Sequence, residues 1–104
     1  MTRRSSLKPR RSLDFERINS AALAALPAVL RRLFPAGKVE GAEYCVGNLH
    51  GDPGRSLKIN LRTGVWRDFA GDVGGSDPVS LVAARERIGQ AEAAQMLARM
   101  VGVE

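Results

Sequence analysis

Apolar side chains recur three and four positions apart in the first third of this chain, then at every second position through its middle. Phe15, Ile18, Ala22, Leu26, Val29 and Leu33 form one stripe, widened by Leu23 and Leu30, which is the periodicity of a helix buried on one side. Asp14 precedes the stripe as its predicted N-cap. Pro27 lacks an amide donor and disfavours helical geometry at Leu26, so a kink or a break is predicted there. Arg31 and Arg32 fall in the last turn, where cations suit the carbonyl end of the helix dipole, and Pro35-Ala36-Gly37 ends the element.

From Val39 the period falls to two. Ala42, Tyr44 and Val46 alternate with Glu43, Cys45 and Gly47, which predicts a short strand. Residues 47–55, GNLHGDPGR, are turn chemistry. Leu57, Ile59 and Leu61 then alternate with Lys58, Asn60 and Arg62, Thr63-Gly64 offers a hairpin turn, and Val65–Ala70 returns. Asp72-Val73-Gly74-Gly75 reads as a further turn. Asp77-Pro78 is a helix start, with an Asp N-cap and Pro at the first helical position. Val79, Leu81, Val82 and Ala83 face inward up to about Arg87, and Gly89 is the predicted terminator. A last helix, Gln90 to Val101, carries Ala93, Ala94, Met96, Leu97 and Met100. The sum is an α+β layout: a small antiparallel sheet braced by N-terminal and C-terminal helices, without internal repeats.

The hairpin register decides which residues share a face. With a two-residue Thr63-Gly64 loop, Leu61 faces Trp66, Asn60 faces Arg67 and Lys58 faces Phe69. Lys58, Asn60, Arg62, Arg67 and Phe69 then lie on one side. A three-residue loop shifts the pairing by one, setting Lys58 against Asp68 and Trp66 against Asn60, and dropping Arg67 among the apolar set. We favour the first arrangement. Under either, Trp66 and Phe69 remain open to two readings, core residue or surface ring.

Composition narrows the partners. At 104 residues the chain has room for one domain with one modest core. Sixteen basic residues against eleven acidic ones give a net charge of +5, which favours a polyanionic partner. Residues 1–12 hold Arg3, Arg4, Lys8, Arg10 and Arg11 with no acid, and are expected to form a disordered basic arm ahead of a single domain over 13–104. Cys45 and His50 are the only cysteine and histidine, so no intrachain disulfide and no four-ligand Cys/His zinc site is possible within one chain. No stretch approaches the roughly 20 apolar residues of a membrane span, and the basic start lacks the apolar run of a secretory signal. A cytoplasmic protein without membrane association is expected.

Residues 54–82, GRSLKINLRTGVWRDFAGDVGGSDPVSLV, resemble the zinc-binding domain at the front of bacterial and phage DNA primases. Anchored at Ser56-Leu57, an ungapped overlay puts His50 on the family's histidine and Gly47 on that histidine's cysteine partner. The second cysteine pair falls on Asp68 and Gly71, and Gly75, Asp77 and Val79–Val82 match the closing Gly-Asp and apolar helix. Three of four ligands are therefore replaced. The chain is more similar to the degenerate form of this domain at the N-terminus of prophage and plasmid primase–helicase proteins. That likeness is carried by Arg55-Ser56-Leu57, Lys58–Leu61, Thr63-Gly64, Trp66, Asp68-Phe69-Ala70, Gly71-Asp72, Gly74-Gly75, Asp77 and Ser80–Ala83, with similar leading and Gln90–Ala94 helices.

The resemblance implies a zinc-ribbon-like, metal-free accessory module that binds single-stranded DNA for a mobile-element primase or helicase. It implies no enzyme, because primase catalysis needs a separate domain of clustered, metal-holding carboxylates. The chain is read as either a stand-alone relative or an N-terminal piece. Asp68, Asp72 and Asp77 could suggest magnesium, but Asp77 is assigned to a cap and Asp72 to a turn, so no catalysis by them is expected; Cys45 is assigned to packing, and no cofactor is expected. Arg55, Lys58, Arg62 and Arg67 are the candidate phosphate contacts, Asn60 shares their face, and Trp66 or Phe69 is the candidate stacking ring, since single strands are held by cations and aromatic platforms. The competing expectation is a protein-interaction adaptor docking on a helicase, primase or host replication factor through its helices.

Overall fold

The computed structural model describes residues 14–103. The expected basic arm lies outside the described residues. Four helices and a five-stranded antiparallel sheet make an α+β fold. In chain order these are α1 (Phe15–Ala24), α2 (Leu26–Leu33), β1 (Lys38–Glu40), β2 (Glu43–Val46), β3 (Leu57–Asn60), β4 (Trp66–Asp68), β5 (Val73–Gly75), α3 (Pro78–Glu86) and α4 (Gln90–Val101). The strands lie in sequence order, each paired with the next.

The predicted first helix is two helices. Ala25 leaves helical geometry, one residue before the Leu26 at which the break was expected, and Pro27 lies in the first turn of α2, where its missing N–H has no partner to lose. Asp14 caps α1 by accepting from the Arg17 amide. At α3 the cap is reciprocal: Asp77 accepts from the Ser80 amide at 2.8 Å while the Ser80 hydroxyl faces the Asp77 amide. The expected stop at Gly89 is displaced. Arg87 takes the left-handed conformation that ends α3, and Gly89, extended, becomes the N-cap of α4. Two strands escaped the sequence reading. β1 pairs with β2 through a two-residue Gly41-Ala42 turn with Gly41 at φ +62°, and β5 forms where a turn was expected.

One side of the sheet is apolar and carries the helices. Leu26, Leu30 and Phe34 from the α2 region meet Tyr44, Val46, Leu57, Ile59 and Trp66 from the strands, and Val79, Leu81, Val82 and Leu97 complete the core. Polar ties fix the helices to each other and to the sheet. The Trp66 indole donates to the Ser80 hydroxyl at 2.9 Å, Asn19 accepts from the Val79 amide, and Arg85 donates to the Leu33 carbonyl while its guanidinium lies over the Phe34 ring. Tyr44 reaches past Gly37, where a Cβ would collide with its ring, to donate to the Phe34 carbonyl at 2.7 Å.

Burial raises the Tyr44 phenol above its ordinary value, against a smaller lowering by Arg31, and burial likewise raises the Cys45 thiol. Unfolded chains release these protons near 9.0 and 10.0, before the folded protein does. Stability is therefore intact below that range and falls as pH rises through it toward the raised folded values. Tyr44→Phe should remove the phenol's share of this alkaline decline. At neutral pH it should cost only about 1 kcal/mol, because the Phe34 carbonyl keeps the Gly37 amide. Chemical denaturation at a series of pH values measures both effects.

Candidate nucleic-acid interface

The register places a row of cations straight across the other face. Lys38 pairs with Cys45, Cys45 with Lys58, Lys58 with Arg67 and Arg67 with Gly74. Cross-strand partners point to the same side, so three cations from β1, β3 and β4 share one line. A second line toward the β3–β4 turn holds Glu40, Glu43 and Asn60. Beyond the row, on the side away from that turn, Phe69 follows β4 and is 62% exposed, with its amide bonded to the Ser56 carbonyl.

The hairpin differs from both expected registers. Four residues, Leu61 to Gly64, close between Asn60 and Val65, and Lys58 faces Arg67 while Ile59 faces Trp66. Relative to the favoured two-residue loop, the pairing has slipped by two, which preserves the alternation of faces. Lys58, Asn60 and Arg67 therefore do share a side. The cause is a turn chemistry that Thr63-Gly64 alone did not reveal. The Asn60 side chain accepts from the Arg62 and Thr63 amides, and Gly64 at φ +78° is buried where a Cβ would strike Pro78 and Leu23.

Individual candidates fare differently. Trp66 is 3% exposed on the apolar side, so it is a core residue and cannot stack on a base; Phe69 alone of the two rings is accessible. Asn60 spends its amide oxygen on the turn. Arg62 is exposed on that turn, separated from the cation row by the Glu43–Asn60 line. Arg55 reaches Glu40 at 2.7 Å, and Arg67 reaches Asp72 at 2.5 Å. Among the described residues Lys38 and Lys58 make no ion pair. Lys38 was missed by sequence reasoning, although Gly41 between Glu40 and Glu43 signalled the short hairpin that brings it into line. A cavity of about 180 Å³ opens at the β1 end of the row, lined by Ala36, Lys38, Glu40, Pro53, Gly54 and Arg55.

Cys45 lies in the middle of the row yet is only 2% exposed, flanked by Lys38 and Lys58. Its thiol is pushed up first by burial and then by Glu40 and Glu43, against Lys58 and Arg55. The protonated thiol makes it a small packing residue.

The loops after β2 and after β4, where the sequence overlay sets its ligand positions, lie at one end of the sheet. Their donors do not fit a metal site. Gly47 and Gly71 carry no side-chain donor, the Asp68 carboxylate accepts from the Ala70 and Gly71 amides, and no group of three His, Cys, Asp or Glu side chains converges among the described residues. Hydrogen bonds organise both loops instead. Asn48 accepts from the His50 and Asp52 amides and donates to the Asp52 carboxylate, and the Gly47 amide donates to the Asp52 carbonyl at 2.7 Å. Gly47 is required there, since a Cβ would sit 2.5 Å from the Pro53 carbonyl oxygen.

Comparison with protein-family models, curated proteins and solved structures finds no match to this chain. Among the described residues no helix is long and apolar enough to cross a membrane.

The two rings should separate cleanly in stability measurements. Trp66→Ala should cost about 3–5 kcal/mol, as removal of a buried aromatic does. Phe69→Ala should stay within about 0.5 kcal/mol of wild type, as exposed positions do. Asp68→Ala should cost about 1–3 kcal/mol by leaving two amides without their acceptor. Urea denaturation of the three variants gives the comparison.

Proposed function

We propose that the outer face of the sheet binds single-stranded DNA along the Lys38–Lys58–Arg67 row, as a metal-free, zinc-ribbon-like accessory module of a mobile-element primase or helicase system. The row itself is the observation that carries this reading. Three cations in register across the sheet, two of them without an ion-pair partner among the described residues, form a positive line that a single strand can follow. An exposed Phe69 at its border adds the aromatic surface that unpaired bases stack upon. A net charge of +5 draws a polyanion toward it. The assignment to replication rests on the residues shared with the degenerate primase domain, and the two loops organised by Asn48 and Asp68 are compatible with a fold that has exchanged metal ligands for hydrogen bonds.

The adaptor reading would draw support from an exposed apolar helix face. Of the large apolar side chains exposed among the described residues, Phe15 alone belongs to a helix. Catalysis is not part of the proposal.

Binding of a labelled single-stranded oligonucleotide, measured over a range of salt concentrations, tests the row. Each phosphate contact contributes about −0.7 to the logarithmic salt slope on single strands. Replacing both Lys38 and Lys58 by Ala should flatten the slope by about 1.4 while the melting temperature holds. An unchanged slope and affinity would remove the row as the binding surface. Chelator treatment should leave both melting and binding unaltered, and unfolding on metal removal would contradict the metal-free reading.

A further inference from the structure

Arg67 differs from the two lysines of its row. Its guanidinium bonds the Asp72 carboxylate at 2.5 Å and lies 5.7 Å from the centroid of the Phe69 ring. Asp72 holds φ at +54°, an unusual conformation for a residue with a side chain, and sits where the chain turns from β4 into β5. The next strand presents Gly74 opposite Arg67, and a Cβ there would approach the Arg67 backbone to 3.4 Å. The nearest clash would be with the Trp66 carbonyl oxygen at 2.7 Å, so β5 passes close against β4 there, while the guanidinium is shared between the Asp72 carboxylate and the Phe69 ring.

The charges follow the same division. Among the described residues Lys38 and Lys58 make no ion pair, whereas the Arg67 charge is met by a carboxylate. What Arg67 offers is a flat, delocalised surface over an aromatic one, a combination that lysine cannot supply. We infer that Asp72 is a positioning residue, holding Arg67 with Phe69 as a two-part platform for an unpaired nucleobase instead of a phosphate contact. This inference rests on the single-strand reading above and assigns a distinct task to one end of the row. Phosphates follow the lysines, and a base leaves the strand's path to lie on the platform.

Asp72→Asn isolates the effect, because Asn is nearly the same size and tolerates positive φ at least as well. Binding is measured by fluorescence anisotropy on a short single-stranded oligonucleotide and on the same strand with its bases removed. Wild type should bind the abasic strand about tenfold more weakly, the loss expected for one stacked base. In Asp72→Asn the freed guanidinium should take a phosphate, so the salt slope steepens by about 0.7 and the abasic penalty shrinks. Arg67→Lys should keep the wild-type slope and also lose the penalty, since it retains the charge and removes the plane. Wild-type slope and wild-type abasic penalty in Asp72→Asn would overturn the inference while leaving the lysine row standing. Failure of wild type to bind either strand would overturn the single-strand reading, and this inference with it.

Discussion

Which side of the sheet each residue of β3 and β4 occupies is fixed at the Leu61–Gly64 turn, and the outer surface depends on that. Asn60 organises the turn by accepting two successive amides, and Gly64 docks it against Pro78 and Leu23 in a conformation favouring glycine. The resulting pairing sets Ile59 against Trp66 and Lys58 against Arg67. A slip of one residue would bury the cations and expose the indole, so the apolar face and the turn specify the same register.

Trp66 enforces this division from the inside. Its ring fills the core above Gly75, where a Cβ would come within 2.6 Å of the indole nitrogen, and its N–H ends on the hydroxyl that also caps α3. The sheet, the start of α3 and the β5 edge are thus tied at one point. With the inner side committed to helices, the outer side is free to carry charge, and the short β1 and β5 strands extend the row at both ends. The loops after β2 and β4 stand at the sheet end beyond Phe69, held by Asn48 and Asp68. In both loops these side chains accept from backbone amides a few residues on.

The helices were legible because periodicity and caps are local: Asp14, Pro27, Asp77 and the Gln90–Val101 stripe all act within a few residues. The break at Ala25 followed from Pro27. Arg87 in the left-handed conformation was not legible, since arginine gives no hint of it and Gly89 stood two residues away. β1 and β5 were hidden because three-residue strands are too short to show alternation, and β5 is two-thirds glycine. At the site, the face shared by Lys58 and Arg67 follows for an even-numbered loop and is lost for an odd one, so it hung on a loop length that Thr63-Gly64 alone did not reveal. Lys38 was hidden altogether, because its alignment depends on β1. Trp66 and Phe69 looked equivalent in sequence, and only the register, together with Ser80 across the core, separates the buried ring from the exposed one.

The central claim is that the outer face of the sheet, and not the helices, meets the nucleic acid. Isotopically labelled protein titrated with a single-stranded oligonucleotide, and followed by the chemical shifts of its backbone amides, tests it most directly. The account predicts that the largest changes fall on Lys38, Cys45, Lys58, Arg67 and Gly74, which lie on one line across the five strands, and on Phe69 at its border. Changes concentrated on α1 and α4, with that surface silent, would contradict it.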